Sequence, residues 1–124
     1  MIDFQNGTFV KLGPVDPSAL ASELSPLLID GEVVLLAFKG MRDSVVFTSK
    51  RLISINVQGL TGKKRDYSSL PLNRIQAWSV ETAGTFDLDS ELDLWFSGLG
   101  RVRLEFKGSV DIRQLSQIIG SHVL

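Results

Sequence analysis

Between Glu32 and Lys107 the chain is cut by turn-forming residues into about seven short apolar runs, and a helical period returns only after Gly108. Val33 to Met41 reads as the first strand, Ser44 to Thr48 as the second and Leu52 to Val57 as the third. Lys64 to Leu72, Ile75 to Thr82, Leu92 to Phe96 and Arg101 to Lys107 complete the series. Met41-Arg42-Asp43, Ser49-Lys50-Arg51, Gln58 to Gly62, Ala83-Gly84 and Gly98-Leu99-Gly100 supply the turns. Strands this short, following one another without intervening helices, point to an antiparallel sandwich or barrel and away from alternating βαβ units.

The strands differ in pattern. In the last, Val102, Leu104 and Phe106 alternate with Arg101, Arg103, Glu105 and Lys107, so one face is core and the other is wet. In the first, Val33 to Phe38 is apolar on both faces, so both need cover, from a helix or from a neighbouring subunit. After Gly108, Asp111 caps a helix running to Val123, with Ile112, Leu115 and Ile119 as its inward stripe and Gln114 placed to complete a capping box. Upstream, Gly13-Pro14 is expected to break regular structure. Asp16-Pro17 then starts a short helix with Leu20, Leu24, Leu27 and Leu28 on one face, which Pro26 ends or kinks. These readings make residues 1–30 an N-terminal segment with a short helix packed on the same domain, and 31–124 the domain proper.

A chain of 124 residues with 44% hydrophobic content suffices for one core. Thirteen basic and fourteen acidic side chains leave a net charge of −1, with no positive field for nucleic acid. There is no cysteine, which excludes disulfides, thiolate metal sites and a thiol nucleophile. The N-terminus lacks the pattern of a signal peptide, and the longest apolar run, Val33 to Phe38, is far short of the ~18–20 residues that span a bilayer. The expectation is a cytoplasmic protein without membrane contact.

Certain residues together carry a family resemblance. They are Gly31-Glu32, Arg42-Asp43, Phe47-Thr48-Ser49-Lys50-Arg51-Leu52-Ile53, Gln58-Gly59, Lys63-Lys64 and Glu81-Thr82-Ala83-Gly84-Thr85-Phe86-Asp87. In order and spacing they resemble the bacterial pleckstrin-homology domain family, over roughly residues 30 to 124. The resemblance implies a mainly β (α+β) fold: a partly open antiparallel barrel of about seven strands capped by a C-terminal helix. It also implies ring-shaped homo-oligomers and no enzymatic activity, and brings no set of catalytic or binding residues. The chain departs from eukaryotic pleckstrin-homology domains in having no tryptophan in its C-terminal helix, since Trp78 and Trp95 fall in strands. It also offers only Lys39 and Arg42 around the first turn, in place of a dense basic motif.

No constellation of side chains supports catalysis. Asp87, Asp89, Glu91 and Asp93 alternate as an exposed strand face opposite Arg101, Arg103 and Lys107 would. They miss the glycine and glutamate positions of a calcium loop. His122 stands alone, too few ligands for zinc. Neither Phe96-Ser97-Gly98 nor Gly108-Ser109-Val110 forms a nucleophile elbow, and Gly98-Leu99-Gly100 is a hairpin turn rather than a phosphate loop. Lys63-Lys64-Arg65, near Lys50-Arg51, is the densest basic run and reads as a solvated hairpin. The reading is a non-catalytic interaction module, with no cofactor, no metal and no catalytic residue, whose partners are copies of itself and another protein or peptide. The alternative is a binder of anionic lipid headgroups or small anions through the basic hairpin.

Overall fold

The computed structural model describes Phe4 and residues 9–124. Eight strands form one open sheet in the order β5-β4-β3-β2-β1-β8-β7-β6. In chain order they are β1 (Phe9–Val15), β2 (Val34–Lys39), β3 (Ser44–Thr48), β4 (Arg51–Gln58), β5 (Lys64–Pro71), β6 (Ile75–Glu81), β7 (Ser90–Phe96) and β8 (Gly100–Phe106). Neighbours pair antiparallel except β1 and β8, which run parallel. The seven strands expected from Val33 onward are all present, and an eighth precedes them.

That eighth strand corrects the expectation at Gly13-Pro14. Strand β1 runs through both residues because its two halves bond on opposite sides. Gly13, Pro14 and Val15 pair with β2, whereas Phe9 and Leu12 pair with β8. Pro14, which has no N–H to donate, therefore needs a partner on one side only, the situation in which sheets tolerate proline. The changeover falls at a register shift between Phe9 and Leu12, where Lys11 takes a φ of 53°. An extra residue in a bulge produces such a bend.

Both halves of the sheet contribute to one cluster. Phe38, Val45, Phe47, Leu52 and Leu70 come from β2 to β5, and Leu92, Leu94, Phe96, Val102, Leu104 and Phe106 from β7 and β8. The sheet therefore curls around a common core, in which the rings of Phe38 and Phe106 meet edge-on at 4.8 Å between centroids. Helix α2 (Ile112–Val123) closes the core with Ile112, Leu115 and Ile119, as its apolar stripe predicts. Its first turn is capped by Asp111, whose Oδ1 accepts from the backbone N–H groups of Arg113 and Gln114 at 3.1 and 3.2 Å.

A second cluster explains the two-sided apolarity of the first predicted strand. Ala37, Val46, Ile53 and Ile55 point away from the main core and lie under Leu24, which is 0% exposed, with Leu20, Leu27 and Leu28 around it. Here the expected helix is broken into three short pieces: a 3-10 turn (Pro17–Leu20), helix α1 (Ala21–Leu24) and a second 3-10 turn (Ser25–Leu27). The leucine spacing survives because all three pieces are right-handed. Continuity does not, since Pro26 lacks the N–H that would extend the α-helix. The outer face of β2 to β4 is thus covered within the chain.

Candidate interaction site

The motif that joins Gly31-Glu32 to Thr48 and Arg51 is a structural staple. Glu32 precedes β2, and Arg51 opens β4, two strands away. Arg51 donates to Glu32 from Nε at 2.8 Å and from Nη2 at 2.9 Å, a forked pairing, and Nη2 also reaches the Leu27 carbonyl. The Thr48 hydroxyl donates to Glu32 Oε2 at 2.6 Å and accepts from the backbone N–H groups of Lys50 and Arg51. The Glu32 side chain is 0% exposed. Burial alone would raise its pKa, but the bonds from Arg51, Thr48 and the Ile29 backbone outweigh it and hold the carboxyl at about 2. Every polar group of this set is engaged in holding the segment before β2 against the β3–β4 turn.

The basic run divides by role. Arg65 Nη1 pairs with Glu23 Oε2 of α1 at 2.8 Å, and the Tyr67 hydroxyl donates to the same oxygen at 2.6 Å. That bond raises the Tyr67 pKa. Arg65 is therefore a clasp between β5 and the helical segment. Lys63 and Lys64 are exposed and make no ion pair among the described residues. The β2–β3 and β4–β5 turns are tied together by Arg42 Nη2, which donates to the Gly59 carbonyl at 2.8 Å. Met41 and Leu60 stand fully exposed at their tips. Beside the β2–β3 turn lies a cavity of about 500 Å³, lined by Phe9, Val10, Lys11, Leu12, Met41 and Lys107 among others.

The acidic series is also divided. Asp93 accepts a bidentate pair from Arg103 at 2.9 and 3.0 Å, in the cross-strand register Asp93↔Arg103. Glu91 faces Glu105 in that register and reaches Arg103 diagonally at 3.3 Å. Asp87 and Asp89 are not on a strand. They belong to the loop of residues 82–89, because β7 begins only at Ser90. The loop closes on itself, with the Gly84 N–H on the Asp87 carbonyl at 2.7 Å and the Asp89 N–H on Asp87 Oδ1 at 3.1 Å. It also packs against Gly108, where any side chain would strike the Leu88 carbonyl. Phe86 and Leu88 project from it, 101% and 67% exposed. Burial raises the pKa of nearby Glu91, Arg103 lowers it, and Glu81, Glu105 and Asp87 raise it further.

Other candidates resolve simply. Gly98 and Gly100, at φ of 81° and 91°, form the β7–β8 hairpin. Trp78 is half-buried against α2 and donates from Nε1 to Ser116 Oγ at 3.1 Å, while Trp95 lies on the outer face of β7. His122 Nδ1 sits 2.8 Å from the Ile118 carbonyl within α2. Among the described residues no three His, Cys, Asp or Glu side chains are grouped to hold a metal, and no helix is long and apolar enough to cross a membrane.

A sequence profile described as the bacterial PH domain matches residues 3–123. The chain belongs to the bacterial pleckstrin-homology domain family. The Bacillus subtilis protein YjqA is 42% identical over 120 residues, covering 95% of this chain and 96% of its own. The crystal structure of a DUF1696 family protein with a pleckstrin-homology domain from Shewanella loihica PV-4 superposes with a TM-score of 0.82. It is 43% identical, and the match covers 93% of this chain and 99% of that one. The pleckstrin homology domain from Shewanella amazonensis SB2B superposes with a TM-score of 0.69 at 47% identity, over 96% of this chain and 93% of that one. Pleckstrin-homology domains are generally non-catalytic interaction modules, in keeping with a fold whose polar clusters are engaged in holding loops and strands together.

Proposed function

We propose that this pleckstrin-homology domain is a non-catalytic interaction module that assembles head-to-tail with copies of itself into a closed ring. The ring then offers its outward surface to a protein or peptide partner. The observation that carries the reading is the inequality of the two sheet edges. At one edge, β5 contains Lys64, Arg65 and Pro71, devices that discourage pairing. At the other, β6 reads Ile-Gln-Ala-Trp-Ser-Val-Glu, seven residues with no lysine, arginine or proline. Among the described residues β6 pairs with β7 alone. Such an edge suits pairing with a different surface of a neighbouring copy, and a contact between unlike surfaces of identical subunits closes into a ring when its rotation allows. Multi-angle light scattering at micromolar concentration tests this. A monodisperse mass several times 13.6 kDa is expected, and a mass of one chain would overturn it.

A second reading has its own observation. Met41 and Leu60, at 98% and 106% exposure, stand beside Lys63 and Lys64, which make no ion pair among the described residues. Apolar tips flanked by lysines suit an anionic lipid surface. Co-sedimentation with phosphatidylserine vesicles, lost in Lys63→Glu with Lys64→Glu, would support it. Equal recovery with and without vesicles would remove it.

A further inference from the structure

We propose that the 82–89 loop of one copy seats Phe86 and Leu88 in the cavity beside the β2–β3 turn of the next copy, with Asp87 and Asp89 against Lys11 and Lys107. The inference rests on the ring reading above and names a contact within it.

The knob is preformed. Phe86 is 101% exposed, yet it projects from a loop closed by its own backbone bonds and braced on Gly108, so little order is left to impose on docking. A phenylalanine held out in this way is an anchor of the type that dominates interfaces. The hole is chemically matched. Its floor is Phe9 and Leu12, 2% and 1% exposed, and its walls include Val10 and Met41. At about 500 Å³ it lies inside the ~300–1,000 Å³ range of pockets that take small organic groups.

Charge decides the occupant. From Glu81 to Glu91 the chain carries four carboxylates and no lysine or arginine. The cavity is rimmed by Lys11 and Lys107, neither of which makes an ion pair among the described residues. Its acid, Asp43, is already occupied, accepting from Asn56 Nδ2 at 2.8 Å and from the Val57 N–H at 3.3 Å. An acidic apolar loop therefore meets a basic apolar hole, which steers association and fixes its register.

The experiment uses the full chain, whose lack of cysteine gives a clean background. Phe86 and Asp87 are exposed, and Asp87→Lys gives up only the local bond to the Asp89 N–H, so Phe86→Ser and Asp87→Lys should keep the far-ultraviolet circular dichroism of the folded wild type. By light scattering each is expected to fall from the wild-type multimer to one chain, and adding Lys107→Asp to Asp87→Lys should restore the multimer. A Val10→Cys, Leu88→Cys variant should oxidise to covalently linked chains on a non-reducing gel. If the wild type is a multimer and Phe86→Ser remains one, the loop contact is wrong and the ring stands. Cross-linking only within single chains would mean that the loop seats on its own cavity, and would likewise overturn the contact. A monomeric wild type would overturn both.

Discussion

Leu115→Asp is expected to abolish cooperative folding. Leu115 is 0% exposed at the centre of the α2 stripe, against the cluster that both halves of the sheet share. Truncating a leucine in such a place costs about 2–5 kcal/mol through lost burial and a residual cavity. Aspartate adds a carboxylate with no partner, a further cost of several kcal/mol unless it stays protonated. The sum approaches the ~5–15 kcal/mol total stability of an ordinary domain. Far-ultraviolet circular dichroism during heating should show no cooperative transition, while Gln117→Asp, at an exposed position on the same helix, should melt near the wild type. A soluble Leu115→Asp protein with a sharp transition would show that α2 does not close the core.

Glu32→Ala is expected to cost about 2–3 kcal/mol, because it removes the charged acceptor that Arg51 and Thr48 share, while Arg51 keeps the Leu27 carbonyl and Ser69 Oγ and the Thr48 hydroxyl keeps the Arg51 carbonyl. The same group gives a pH signature. Its folded pKa of about 2 lies below the ordinary 4.5. The stabilisation is therefore fully present above pH 4.5 and is lost as pH falls toward 2. A shift of that size corresponds to about 3 kcal/mol. Urea unfolding of the wild type between pH 5 and pH 2 should show this decline. Glu32→Gln, weaker at pH 5, should decline less over the same range. Parallel declines would mean that other carboxylates govern the acid limb.

The strands from Val34 to Phe106 were legible because their residues alternate or run apolar and their turns are marked by glycine, aspartate and serine. Helix α2 was legible from its cap and its stripe. Strand β1 was not, because Gly13-Pro14 carries the same local signal whether the chain stops there or changes partner. Only the neighbours β2 and β8, distant in sequence, decide between these. The N-terminal leucines showed the right face but not the broken helix, since packing of Leu24 on Ala37, Val46, Ile53 and Ile55 sustains pieces too short to stand alone.

The staple was visible as a motif but not as a bond, because Glu32 and Arg51 are nineteen residues apart in sequence and meet only when β2 and β3 fold back on each other. The loop was the least legible feature. Phe86-Asp87-Leu88-Asp89 alternates like a strand, and nothing local says that it leaves the sheet before Ser90. Its exposure emerges only when the last residues paired with β6 and β8 are known.

The most direct test of the assembly is amide hydrogen exchange on β6 as protein concentration is raised from well below to well above the association midpoint. In the free chain the outward amides of this edge meet solvent. In a ring that pairs the edge they should slow by at least tenfold. Concentration-independent exchange along β6, in a sample that light scattering shows to be multimeric, would contradict assembly through this edge.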